Sequence, residues 1–133
     1  MATQKLDEFD LETAPAAEDL SGRQFTLVKL NEAGELVKAG AGEVGFVLQN
    51  KPKQGQQGTY AVAGRVKCVA GATVKPNQLL SSDASGHVVP ATATVLEAEK
   101  VKTQGTRVIG YAVAKAASGE LAAFRATPTA GRA

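Results

Sequence analysis

Residues 107–127 read Arg107-Val-Ile-Gly-Tyr-Ala-Val-Ala-Lys-Ala-Ala-Ser-Gly-Glu-Leu-Ala-Ala-Phe-Arg-Ala-Thr127, two apolar runs of mostly small residues around an Ala-Ala-Ser-Gly connection. Along Arg107 to Lys115 the side chains alternate, with Ile109, Tyr111 and Val113 on one face and Val108, Gly110, Ala112 and Ala114 on the other. Both faces are apolar, which predicts a buried strand. Gly119 supplies a residue able to take a positive φ in the loop Ala116 to Gly119, and Leu121 to Ala126 then returns as a second short strand. The segment therefore reads as a closing β-hairpin. An Ala-rich helix over Ala112 to Ala117 is the competing reading.

Working back from the hairpin, runs rich in β-formers recur with turn residues between them: Gln24 to Leu30, Glu35 to Lys38, Val44 to Asn50, Thr59 to Ala63 and Arg65 to Ala70. That rhythm predicts an all-β domain, a small β-barrel or β-sandwich of short strands. Phe25 and Leu27 fall on one face of the first run, Phe46 and Leu48 on one face of the third, and Asn31-Glu-Ala-Gly34 turns the chain between the first two. Val95 to Val101 has good helix formers at its centre and fits either a short helix or a strand with charged outer positions. Lys51-Pro-Lys-Gln-Gly-Gln-Gln-Gly58 has neither apolar anchors nor strand alternation, which predicts an exposed, mobile loop whose Lys51 and Lys53 are candidates to contact an acidic neighbour.

At 133 residues and 44% hydrophobic content, the chain suffices for one core but not two. The apolar residues are largely Ala and Val, with no Trp, two Tyr and four Phe, so the core is built from close-packed small side chains. Such a core is thin for a monomer. Burying a Val or Leu contributes about 1.5 to 3 kcal/mol against about 1 to 2 for ordering one residue's backbone. Assembly into an oligomer or docking on a larger surface offsets that shortfall.

Charge divides the chain near residue 20. Residues 1–20 carry six carboxylates against Lys5, a net −5, whereas the remainder carries fourteen basic and seven acidic side chains, a net +7. The division predicts an extended, flexible acidic arm over 1–20, a β-rich domain over 21–127 and a loose tail over 128–133. The opposite signs suit an arm lying on its own body, on a neighbouring copy, or on an external basic surface. Burial of Leu6, Phe9 and Leu11 yields about 5 to 9 kcal/mol, while ordering all twenty residues costs about 20 to 40. Docking is therefore expected to involve a short segment from Leu6 to Leu11, supplemented by main-chain pairing with a strand edge, with the rest through Pro15-Ala-Ala acting as a tether.

Several chemistries find no support in the residues. The overall charge of +2 and scattered basic residues do not suggest nucleic-acid binding. Absence of an apolar run of about 18 residues, or of a charged-then-apolar leader, suggests no membrane span or secretion signal, and one cysteine cannot form an internal disulfide. Synthesis in a reducing cytoplasm is expected. Cys68 and His87 are the candidate nucleophilic pair, yet Cys68 alternates with Val66 on an apolar face, which favours a buried inert thiol, and His87 beside Gly86 reads as exposed. One His and one Cys do not complete a zinc site, and the acidic clusters Asp7, Glu8, Asp10 and Glu97, Glu99 read as solvated faces rather than calcium ligands or paired catalytic carboxylates. Gly40-Ala-Gly42 reads as a turn rather than a nucleotide cradle. No catalytic residue, cofactor or metal is expected.

The Ile-Gly-Tyr-Ala strand, the Ala-Ala-Ser-Gly turn and the final short strand resemble the C-terminus of small phage capsid cement proteins, also called head decoration proteins. Gly71-Ala-Thr-Val-Lys-Pro-Asn-Gln-Leu-Leu-Ser-Ser-Asp-Ala-Ser-Gly-His-Val-Val-Pro90 resembles that family's strand pair reset by an Asp-x-x-Gly turn. The resemblance spans roughly residues 22 to 127, and Thr92 to Thr106 is longer than the family pattern. It implies a structural, non-enzymatic virion protein on the capsid exterior. Such a protein binds the major capsid protein, stabilises the lattice, and forms a homo-oligomer, trimer or dimer. Candidate contacts to capsid or sister subunit are then Leu6, Phe9, Leu11, Lys51 and Lys53. The alternative is a β-rich receptor- or carbohydrate-binding module of a tail or fibre, although sugar sites favour aromatic platforms and the aromatic residues here are few.

Overall fold

A computed structural model describes residues 9–43, 45–91, 95–97, 100–103 and 108–126. These residues contain strands and turns and no helix, so the all-β expectation holds. The strands are β1 (Phe9–Pro15), β2 (Leu27–Leu30), β3 (Leu36–Lys38), β4 (Phe46–Leu48), β5 (Gln57–Val69), β6 (Leu79–Ser82), β7 (Val88–Pro90), β8 (Val95–Glu97), β9 (Lys100–Thr103), β10 (Gly110–Ala112) and β11 (Leu121–Ala126). One antiparallel sheet runs β3-β2-β4-β5-β11-β10-β6-β7, with β1 also paired to β5, and β8-β9 form a separate hairpin. Val95 to Val101 thus enters two short strands rather than a helix.

The closing hairpin forms as β10 and β11, in the register Gly110↔Ala126, Tyr111↔Arg125 and Ala112↔Phe124. Its first strand is shorter than the alternation predicts. Beyond Ala112 the chain leaves the ladder, Val74 and Ala116 bridge, and Gly119 turns at a φ of +89°. The helix reading of Ala112 to Ala117 is excluded by this path.

β5 is the spine of the sheet. The expected runs Thr59 to Ala63 and Arg65 to Ala70 join into one 13-residue strand, because Gly64 continues the ladder at a φ of +101°, a conformation that a residue with a Cβ resists. Gly64 is opposite both Phe9 of β1 and Ala126 of β11. The sheet curls into a half-barrel, since β7 at one end bridges through Val88 to Ala70 just after β5, while β3 at the other bridges through Leu36 to Ala16.

Two apolar clusters form, not one. Neighbouring residues on a strand face opposite ways, and accordingly Leu27, Val47 and Ala61 join the larger cluster with Val66, Cys68, Leu80, Ala112 and Phe124, while Val28, Leu48 and Tyr60 join a second. The second cluster is completed by Ala14, Ala16 and Leu20. This corrects the expectation of a flexible arm and tether over residues 9–20. The segment Phe9–Pro15 lies antiparallel on the molecule's own β5, and Ala16 and Leu20 donate to the carbonyls of Gln56 and Pro52. Ala14, Ala16 and Leu20 pack against the sheet and main-chain bonds add to their burial, so order here is carried by residues other than the exposed Leu11. Residues 1–8 and 127–133, with Leu6 and the C-terminal tail among them, lie outside the described residues.

Local turns follow their residues. Asn31 Oδ1 accepts from the amides of Ala33 and Glu35, with Gly34 at a φ of +78°. Asp83 Oδ1 accepts from Ser85 and His87 in the same manner, with Gly86 at a φ of +76°, and this turn joins β6 to β7 as the Asp-x-x-Gly pattern predicts. Phe25 departs from its expected strand: at a φ of +63° it leaves the alternation, so Leu27 is buried while Phe25 is half-exposed.

Candidate docking surfaces

Three regions present groups that a partner can reach, beginning with β1. Asp10, Leu11, Glu12 and Thr13 are exposed, Leu11 by 52%. Ala16 N–H donates toward β5 at the Gln56 carbonyl, so Pro15, one residue earlier, turns its N–H-less nitrogen away from β5, the placement proline takes on an edge strand. Among the described residues β5 is the only strand partner of β1. Glu12 is fastened to the body by the Tyr60 hydroxyl, which donates to Oε2 at 3.2 Å. Burial, together with that negative neighbour, pushes the Tyr60 phenol above its ordinary range. Glu18 lies 3.8 Å from Lys38, and Asp19 accepts from Ser21, which with nearby Lys53 holds its carboxyl low. Over residues 10–19, then, the acidic leader lies on its own body.

The second region is the turn from Lys51 to Gln56, at the Pro15 end of β1. Lys51 and Lys53 are both exposed, as expected. The loop is nevertheless anchored, contrary to expectation. Pro52 is buried, the Pro52 carbonyl accepts from Leu20, Gly55 donates to Ala16, and the Gln56 side chain accepts from Lys53 N–H. Composition hid these ties because they are main-chain bonds to residues 16–20, which carry no strand or motif signal of their own. The structure therefore brings Lys51 and Lys53 beside the segment that follows β1. Phe9 enters β1 opposite Gly64.

The third region escaped the sequence reading. Alternate residues of β5 and β11 that turn away from Val66, Cys68, Ala122 and Phe124 form a row across the sheet: Leu79 opposite Tyr111, Tyr111 opposite Arg125, and Arg125 opposite Arg65. Lys67 lies in the next row, opposite Ala123. Lys67 and Arg125 are exposed, and Leu79 and Leu121 retain 49% and 47% exposure. The signal that could have found this row was the alternation of Arg65, Lys67 and Val69 against Val66 and Cys68.

The Cys68–His87 pair does not form a reactive centre. Cys68 is fully buried and its sulfur contacts the carbonyls of Val69 and Gly86, at 3.6 and 3.8 Å. Burial pushes its thiol far above the ordinary range, so the nucleophilic thiolate is suppressed. His87 is half-buried rather than exposed, with Nδ1 4.0 Å from Asp83. Gly40-Ala-Gly42 is a turn, locked by Glu43, whose carboxylate accepts from Gly40 N–H and pairs with Lys29, and by Ser82, whose hydroxyl donates to the carbonyls of Gly40 and Glu43. Among the described residues no group of three or more His, Cys, Asp or Glu side chains gathers as a metal site.

No protein-family model matches the chain, and no curated protein matches it in sequence. Its fold is similar to that of the head fiber gp8.5 N base of bacteriophage phi29, at a TM-score of 0.61 and 17% sequence identity, over 95% of this chain and 100% of that one. At that identity the likeness establishes a shared small all-β fold.

Proposed function

We propose that this protein is a structural component of a phage virion that binds the exterior of the head and cements neighbouring major capsid protein subunits. The observation that carries the reading is the fold correspondence over 95% of the chain with the whole base of a head fiber protein. The strand and turn pattern of residues 71–90 and 107–127, which resembles that of cement proteins, supports it independently. The exposed groups suit attachment without catalysis. Leu11 on β1 and Lys51 and Lys53 on the adjoining turn stand on one rigid unit, so modest contacts made together reinforce one another through effective concentration. Phe9 opens the same strand, while Leu6, outside the described residues, is a candidate contact on its sequence alone.

The same fold likeness favours a second reading, in which the protein is the base by which a fibre is seated on the head. A carbohydrate-binding module is less well supported, since Tyr60 is buried and Tyr111 half-buried, leaving neither as an open stacking platform.

The test is to mix purified protein with undecorated heads, image them, and then challenge the heads with heat. Density added at symmetry axes together with a raised rupture temperature supports cementing. Density without added resistance supports the fibre-base role, and no added density removes both. Because residues 9–20 belong to the folded unit, the arm's share is measured by deleting residues 1–8 and by Leu11→Ser, not by deleting 1–20.

A further inference from the structure

We propose that the outer face of β10 and its flanking strands docks on a second major capsid protein subunit, against a surface whose carboxylates ring an apolar patch; this rests on the cementing role proposed above. A cement holds two neighbours at once, so it needs two docking surfaces. Leu11, Lys51 and Lys53 stand on or beside β1, which pairs with β5 up to Gly64. β10 stands beyond β11, which pairs with β5 from Gly64 onward. The two regions therefore belong to different parts of the sheet, as bridging requires.

The second face has an apolar centre. Exposed Leu79 and Leu121 begin β6 and β11, the strands on either side of β10, and Tyr111 and Val113 are half-buried between them. Lys75 and Lys115 form part of its rim: each is one residue from the bridge between Val74 and Ala116, at the same end of it, and both are exposed while the bridged pair is buried. Like charges on adjacent chains repel, and a carboxylate from outside relieves that repulsion. Charge here is one-sided, since residues 74–80, 108–116 and 121–126 include Lys75, Lys115 and Arg125 and no Asp or Glu. Among the described residues these three cations form no ion pair. Glu120, at the margin, accepts from Ala117 N–H. Arg65 and Lys67 are already engaged within the molecule, so the face lies over β6, β10 and β11 and not over β5. A centre of leucine and tyrosine inside a polar rim is the composition of a protein docking surface. A rim of one sign orients an acidic partner and rejects a basic one.

The experiment uses the full chain with undecorated heads as the probe, and reads added density and rupture temperature at low and high salt. Wild-type protein is expected to add density and raise the rupture temperature, both more weakly as salt rises. Lys75→Glu/Lys115→Glu is expected to raise the concentration needed for half-occupancy about tenfold or more. At concentrations that restore its density, the rupture temperature should stay near that of bare heads, because one surface alone bridges nothing. Leu121→Ser is expected to shift both readouts in the same direction, and Ala33→Glu on the β2–β3 turn to leave both unchanged. Should the charge reversal fail to fold by circular dichroism, Lys75→Gln/Lys115→Gln serves in its place, with a smaller shift in the same direction. Wild-type protein that adds no density, or adds it without raising the rupture temperature, ends the cementing role and the second face with it. Heads cemented by the wild type and equally well, or more tightly, by Lys75→Glu/Lys115→Glu overturn the second face alone and leave the cementing role standing.

Discussion

The α-carbon of Gly110 packs so tightly against the main chain of Arg125 that a methyl group at residue 110 would overlap the Arg125 carbonyl, and it would also meet the Phe124 ring. The closing hairpin therefore needs a residue without a side chain between Ile109 and Tyr111. Gly110→Ala is expected to lower unfolding free energy by about 1–3 kcal/mol, the usual cost of forcing extra volume into a packed site. Gly22, with open space around its Cα, is the control, and Gly22→Ala should stay within roughly 0.5 kcal/mol of wild type. Urea denaturation of both variants checks the contrast.

The N-terminal boundary of the folded unit is set by Ala14, Ala16 and Leu20, which are buried against Leu36, Leu48 and Tyr60. Removing residues 1–8 is expected to leave the cooperative unfolding transition in place, and removing 1–20 to abolish it. Leu20→Ala tests the same point with one side chain, at an expected cost of about 2–5 kcal/mol for a fully buried leucine. A folded, stable 21–133 fragment would refute the integration of this segment.

What could be read in advance divides along the range of the interactions. Asn31 to Gly34, Asp83 to Gly86 and the Ser118-Gly119 turn are specified by residues within a few positions of one another, and each forms as its sequence suggests. Cys68 was likewise legible, because alternation with Val66 is a local pattern. The misread parts depend on distant partners. Residues 14–20 look like a tether until Leu36 and Tyr60 are beside them, and Lys51 to Gln56 looks free until Leu20 donates to Pro52. Gly64 reads as a break between strands, yet with β1 and β11 both paired there it is carried through the ladder. The row containing Arg125 went unnoticed because no single strand holds it; it exists only once the register of β5, β11, β10 and β6 is known.

The β6–β7 turn rests on one carboxylate oxygen. Asp83 Oδ1 accepts from Ser85 N–H at 2.8 Å and His87 N–H at 2.9 Å, and the Gly86 carbonyl in the same turn accepts from Leu27 N–H at 2.7 Å. Asp83→Ala leaves two donors without their acceptor, for an expected loss of about 1–3 kcal/mol. Asp83→Asn retains an acceptor oxygen and should recover most of that. Equal losses for the two variants, measured by thermal unfolding, would show that the turn does not depend on this oxygen.

Glu43 ties the 40–43 turn to β2, and its acid response has a definite sign. The hydrogen bond from Lys29 is the largest influence holding its carboxyl below the ordinary glutamate range, with Gly40 N–H adding to it. A carboxyl lowered in the folded state contributes stability above its unfolded value, about pH 4.3, and loses that contribution as pH falls through the folded value. Both side chains are more than a third exposed, so solvent screening keeps the contribution below about 1 kcal/mol. Glu43→Gln should therefore be slightly less stable than wild type at neutral pH, with the difference closing in acid. A difference that widens as pH falls would contradict the assignment.

Cys68 provides the sharpest test of the larger core, since its sulfur has no exposure and lies between the β5 main chain and the Gly86 turn. Alkylation requires the thiolate, and burial suppresses that form. Modification of the native protein is thus expected to proceed only as the molecule opens, slowly in buffer and faster with denaturant. Destabilising variants such as Leu20→Ala should accelerate labelling in proportion to their effect on the opening equilibrium, provided closing outpaces the reagent. Rapid labelling in buffer, unchanged by Leu20→Ala, would instead mean an accessible and activated thiol, and would reopen the case for chemistry at Cys68.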